Sequence, residues 1–162
     1  MSTLETYRED LSITFVDSIE DTCPVNHYFS DKVYTREILM PAGLIIVGKT
    51  HKTRHLNIVL TGECDVMING ELKHIVAPYT FESLEGSQKT LYIHKECRWM
   101  TIHVNEDDET NLDKLEERYI NCNDEQPLQI IEQLNNYNQL KKGTTYGLGN
   151  DSSNGRFNSI FN

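Results

Sequence analysis

The dipeptide Asn69-Gly70 lies between two short β-forming runs, "CDVMI" and "LKHIV". Both residues tolerate positive φ, so the pair reads as the two-residue connection of a tight antiparallel hairpin. The pattern extends to either side. "YTREILM" and "LIIVGKT" flank Pro41-Ala42-Gly43, and "HLNIVL" runs into Thr61-Gly62-Glu63. Beyond the hairpin, "YTFESL", "KTLYIH" and "RWMTIHV" are set apart by Glu85-Gly86-Ser87 and Lys95-Glu96-Cys97. About seven short strands, with a turn every eight to twelve residues or so, predict a mainly β chain folded as an antiparallel sandwich or barrel. Residues 33–105 hold this unit, and residues 1–32, with "LSITFVDSI", supply a leading strand or an arm.

The pattern changes after His103. "NEDDETNLDKLEERYI" opens on acids and a Thr/Asn cap, then places Leu112, Leu115 and Tyr119 at helical spacing. "DEQPLQIIEQLNNYNQLKK" repeats the design, with Pro127 at its start, Leu128, Ile131 and Leu134 along one face, and two lysines at its end. Residues 106–142 therefore read as two amphipathic helices packed on the β unit or on a partner. The run Asn105 to Glu109 lacks the ligand-glycine spacing of a calcium loop, and the helix dipole is a simpler purpose for its acids. Residues 143–162 are rich in Gly, Asn and Ser and end in "RFNSIF", where Phe157, Ile160 and Phe161 are the anchors of an extended, partner-seeking tail.

Charge narrows the partners. The formal net charge is -10, from 25 acids against 15 bases, which argues against tracking nucleic acid and against adhesion to an anionic membrane. The start of the chain is polar, and no apolar run approaches a membrane span. The four cysteines, Cys23, Cys64, Cys97 and Cys122, form no CxxC pair and read as reduced core residues of a cytoplasmic protein. Nucleotide-binding loops, GxSxG and HExxH are missing.

The most chemically pointed stretch is "GLIIVGKTHKTRHLNIVLTGE". Gly43 is followed by Lys49, His51, His55 and Gly62 at offsets that resemble the first cupin motif, G-x5-H-x-H-x3-E-x6-G. The resemblance spans roughly Val33 to Val104 and implies a cupin-type β-barrel, or jelly roll. The second motif, G-x5-P-x-G-x2-H-x3-N, is worn: Gly86 matches, but Leu84, Lys89 and Ile93 replace its proline, histidine and asparagine. Of the four ligand positions that the family uses, His51 is kept, while Lys49, His55 and Lys89 stand at the others. The chain also resembles short cupin-like proteins of bacteriophage genomes in "HKTRHLNIVLTGE" and "WMTIH", which implies a viral setting.

Two imidazoles alone hold a divalent metal weakly, and two ammonium groups at the vacated positions repel it. On an alternating strand Lys49 and His51 point to one face, an arrangement suited to an anion. His103 is the residue that would restore a third imidazole. His74 and His94 read as surface or edge residues, His27 as a loop residue, and Trp99 as core or barrel lip. The reading that follows is a non-enzymatic binding or structural module. It has no resident cofactor, forms a homo-oligomer or larger assembly, and sits in the cytoplasm or in a virion. The competing reading is a metal-dependent enzyme or small-ligand binder, in which His51, His55 and His103 hold Fe, Mn, Ni or Zn; a third is an anion sensor, in which Lys49 and Lys89 grip a carboxylate or phosphate beside His51.

Overall fold

The computed structural model describes residues 22–68 and 70–121, positions 136 and 139, and the backbone of two short strands at 14–15 and 158–161. The strands are β1 (Thr14–Phe15), β2 (Val25–Ser30), β3 (Val33–Met40), β4 (Leu44–Val47) and β5 (His55–Ile68). They continue with β6 (Glu71–Val76), β7 (Tyr79–Ser83), β8 (Lys89–Val104) and β9 (Asn158–Phe161), and a helix α1 spans Leu112–Tyr119. One hydrogen-bonded network runs β1-β9-β4-β8-β3-β2, while β5 pairs with β6, β7 and β8. Pairing is antiparallel except at β9, which runs parallel to β1 and β4. The chain is thus mainly β, as the hairpin pattern predicts, with the antiparallel jelly-roll character expected of it.

Two expected turns are not turns. β5 runs 14 residues straight through Thr61-Gly62-Glu63, and β8 runs 16 residues through Lys95-Glu96-Cys97. Bulges between Val59 and Cys64 absorb the irregularity instead. Gly62 adopts φ +96° there, and an added Cβ would stand 2.7 Å from Cys97 Sγ, so only glycine fits. The bulges also reverse which side chains face inward. His55, Asn57 and Val59 point toward the interior before them, Cys64 and Val66 after them. Asp65, an even number of residues from His55, therefore ends on the opposite face.

The interior is lined by Ile38, Val59, Val66, Ile75, Ile93 and Trp99 among others, with Phe81 packed edge-on against Trp99 at 5.5 Å. Cys23, Cys64 and Cys97 are free thiols buried in it, and Cys122 lies outside the described residues. Helix α1 begins as its sequence predicts. Asn111 Oδ1 accepts from the Lys114 amide at 3.1 Å, and Glu109 Oε1 accepts from the amides of Thr110 and Asn111. Glu109 thus braces the residues before the helix, while Asp107 pairs with Arg118 and Asp108 accepts from the Lys32 amide. Leu115 and Tyr119 are buried against Tyr34, whereas Leu112 is exposed. The second expected helix falls outside the described residues except at positions 136 and 139, and Phe157 falls outside them altogether. The backbone of Ile160 and Phe161 pairs with Ile46 and Val47 of the same chain.

Candidate functional site

One end of the interior is polar, and three histidines from different segments meet there. His55 opens β5, His103 stands near the end of β8, and His51 lies between β4 and β5 in an isolated bridge to Ile120. Ring centroids are 4.1 Å apart for His51 and His55, 5.1 Å for His55 and His103, and 5.6 Å for His51 and His103. Each ring offers a nitrogen to one shared space, with those atoms all within 4.8 Å of one another. Sequence spacing alone joins only His51 and His55. The fold brings in His103, because β3 and β5 both pair with the second half of β8.

Hydrogen bonding fixes the tautomer of His55. Its Nδ1 lies 2.9 Å from the Thr53 carbonyl, which can only accept, so Nδ1 carries the proton. The Nε2 lone pair is then bare, and Lys89 Nζ lies 3.1 Å from it as a donor. His51 Nδ1 and His103 Nδ1 are buried and make no hydrogen bond. Buried polar atoms without partners are uncommon and call for an occupant.

The electrostatics keep all three rings neutral. Burial, followed by the Lys89 ammonium, pushes His55 down to about 4. Burial, followed by His55 and Lys89, pushes His103 down to about 3. His51 is driven well below the ordinary imidazole range by burial first and Lys89 second. Burial alone lowers Lys89 to about 8, so its ammonium gives up a proton far more readily than an exposed lysine does. At neutral pH the centre is three imidazole lone pairs beside one cation that releases its proton easily.

Lys49 is placed elsewhere. β4 ends at Val47, so strand alternation does not extend to it, and its Nζ lies 2.6 Å from Glu116 Oε1 on α1. Lys89 takes the interior position that the sequence assigned to both lysines. α1 closes this end of the core. The Tyr119 ring stacks on His103 at 4.3 Å, its carbonyl accepts from the Lys52 amide at 2.8 Å, and its hydroxyl donates to the Val104 carbonyl. Tyr34 stacks on both His103 and Tyr119 at about 6 Å. Arg36 lies two residues along the same strand face, and its charge lowers both His51 and His103. Sequence reading passed over Tyr34 and Arg36, although their period-two spacing with buried Ile38 carried the signal.

The other histidines lie outside this cluster. His27 lies on β2 rather than in a loop, with Nδ1 2.8 Å from the Tyr34 hydroxyl. His74 and His94 are part-exposed, His74 on the edge strand β6, as the sequence suggests, and both gather around the buried carboxylate of Asp65. Trp99 is core, and its indole N–H donates to Asn57 Oδ1 at 3.1 Å beneath the histidines.

No family model matches this chain, and no curated protein matches it. Solved structures with the cupin fold do resemble it. The cupin domain of Schizosaccharomyces pombe Cnp3 is 16% identical over 58% of this chain and 69% of that one, with a TM-score of 0.44. A cupin family protein with a double-stranded β-helix fold from Methanocaldococcus jannaschii is 11% identical, covering 52% of this chain and 82% of that chain, TM-score 0.45. KdgF from Halomonas sp. is 9% identical, covering 62% and 98%, TM-score 0.49.

Proposed function

We propose that the polar end of the core is a divalent-metal and small-ligand centre, held by His51, His55 and His103. The observation behind this reading is the arrival of a third neutral imidazole in the space that His51 and His55 share. Three nitrogen donors with open positions are the ligand set of metal centres that take a substrate, and Fe, Mn, Ni and Zn all accept imidazole. The unpartnered Nδ1 atoms of His51 and His103 supply lone pairs, and His55 is held in its tautomer by Thr53. Such an ion would supply Lewis acidity to an oxygen-bearing ligand. Lys89 sets the terms of occupancy. Its ammonium competes for the Nε2 lone pair of His55, and once turned away it is a cation placed to hold an anionic group of the ligand. Tyr119 and Tyr34 wall the space on the α1 side.

Metal content by mass spectrometry, on protein made without a histidine tag, tests the centre. The chain should carry near-stoichiometric metal, His51→Ala/His55→Ala should lose it, and Lys89→Met should bind about tenfold or more tightly, since a competing charge is gone. Equal metal in the native chain and the double variant would overturn the reading.

A non-enzymatic assembly module, including one of phage origin, is the second reading. It draws on one observation, that β2 pairs with β3 alone among the described residues and presents Tyr28 and Phe29 46% and 43% exposed. Removal of residues 143–162 should lower the molar mass seen by light scattering if the tail joins subunits. An unchanged mass would remove the tail from that account.

A further inference from the structure

A second cluster sits on the opposite face of the same strands, outside any position of the cupin motifs. Asp65 on β5 is flanked by the core residues Cys64 and Val66, His74 on β6 by Ile75, and His94 on β8 by Ile93. All three side chains therefore point away from the main core. Asp65 is directly opposite His74 in the β5–β6 ladder, and His94 lies diagonally across the β5–β8 ladder. The ligand atoms of the three residues lie within 4.8 Å of one another.

We propose that Asp65, His74 and His94 form a second metal site, a two-imidazole, one-carboxylate clasp for a Zn²⁺-class divalent ion that ties β5, β6 and β8 together. The geometry favours an ion over a plain hydrogen-bonded triad. Asp65 is only 1% exposed, a costly place for a carboxylate without strong partners. Its Oδ1 is hydrogen-bonded to His74 Nδ1, whereas its Oδ2 lies 2.9 Å from His94 Nε2 without an aligned hydrogen bond between them. A hydrogen-bonded pair would align the N–H on the oxygen. Two donor atoms at that distance that both look elsewhere suit a shared third body.

His74 completes the pattern. Its Nδ1 is 2.7 Å from Asp65 Oδ1, and its Nε2 is 3.2 Å from Glu63 Oε1. Lys95 in turn grips Glu63 Oε2 at 2.6 Å. A ligating histidine characteristically gives its other N–H to a carboxylate, which fixes the ring and strengthens its lone pair. On binding, Glu63 would take the N–H at Nε2, and the ion would displace the proton that Nδ1 shares with Asp65 Oδ1. His74 and His94 are 32% and 27% exposed at the side chain, so the clasp is open to solvent and has room for a water or ligand oxygen. An N₂O donor set suits Zn²⁺, Fe²⁺ or Mn²⁺ and does not suit the softer thiolate-seeking ions.

The test is equilibrium dialysis of the chelator-stripped full chain against Zn²⁺, with the native chain compared with His74→Gln and His94→Gln. Each variant should lose one equivalent, or bind it at least 30-fold more weakly, and keep any equivalent that depends on His51 and His55. The native Zn²⁺ count in both variants overturns the proposal, as does a native chain that binds only the equivalent removed by His51→Ala/His55→Ala. A measurement on the unaltered chain guards against misfolded variants. In ¹H–¹⁵N spectra of the imidazoles, Zn²⁺ must shift His74 Nδ1 and His94 Nε2. If both stay put with Zn²⁺ in excess, no clasp exists.

Discussion

Acidifying the metal-free chain from pH 7 to pH 4 is expected to unfold it. The three interior histidines are neutral in the folded state and resist protonation down to about 4 for His55 and about 3 for His103. His51 resists further still. In the unfolded chain each titrates near the ordinary imidazole value of 6.5. The unfolded state thus binds more protons throughout that window, and the stability to unfolding falls as the pH falls. The sign is that of a depressed folded pKa: the contribution is complete above 6.5 and drains away toward the folded values. Discounted for partial solvent access, the three rings together cost on the order of 5 kcal/mol by pH 4, a large part of a typical domain's stability. Denaturant midpoints read at half-unit pH steps would show it. Unaltered midpoints between pH 7 and 5 would mean that the rings are not held neutral, and with that the metal reading would lose its lone pairs. Saturating metal should protect the chain across the same window, since an ion that binds only the folded state adds to its stability.

Gly62→Ala should be the most damaging single methyl in the molecule. Two penalties coincide there. A φ of +96° is strained for any residue with a Cβ, and the new carbon would press on the Glu96 carbonyl and on Cys97, whose Cα would be 2.8 Å away. Cys97 is held from the other side by its pairing with Met40 of β3, which limits how far it can yield. A loss of more than about 4 kcal/mol is expected, with little soluble protein recovered. Gly86→Ala separates the two causes. Gly86 also has positive φ, +77°, but has nothing within 4 Å of the added carbon, so strain alone should cost about 1 kcal/mol there. Similar melting temperatures for the two variants would show that the close approach of β5 and β8 is unimportant.

Those bulges also explain how much could be read in advance. The antiparallel chain was legible from Asn69-Gly70 and its flanking runs, and the start of α1 from its acids and Asn111, because both depend on a few adjacent residues. Gly62 looked like a turn because a glycine at positive φ serves turns and bulges alike, and only the long-range pairing of β5 with β8 distinguishes them. The same reversal hid the second cluster. Simple alternation puts Asp65 on the face of His55, and nothing local announces the shift in register. The interior site was half legible. His51 and His55 fall at motif positions, whereas His103 has no motif, and its facing follows from that of Trp99 four residues earlier on the same strand. Lys49 was misplaced for the plain reason that β4 stops two residues before it.

The seating of α1 has a kinetic meaning. Tyr119 lies flat on His103, Lys52 binds its carbonyl, and the Asn121 amide donates to Thr50 at 2.9 Å, so the helix end is stitched to the segment that carries His51. Lifting that end of the helix would mean breaking those bonds and unstacking Tyr119 from His103. For an occupant that enters at this end, residence time would follow how often the last turn of the helix lifts rather than how strongly the imidazoles grip. Ligands of very different affinity would leave at nearly the same rate, the rate of a door rather than of a lock.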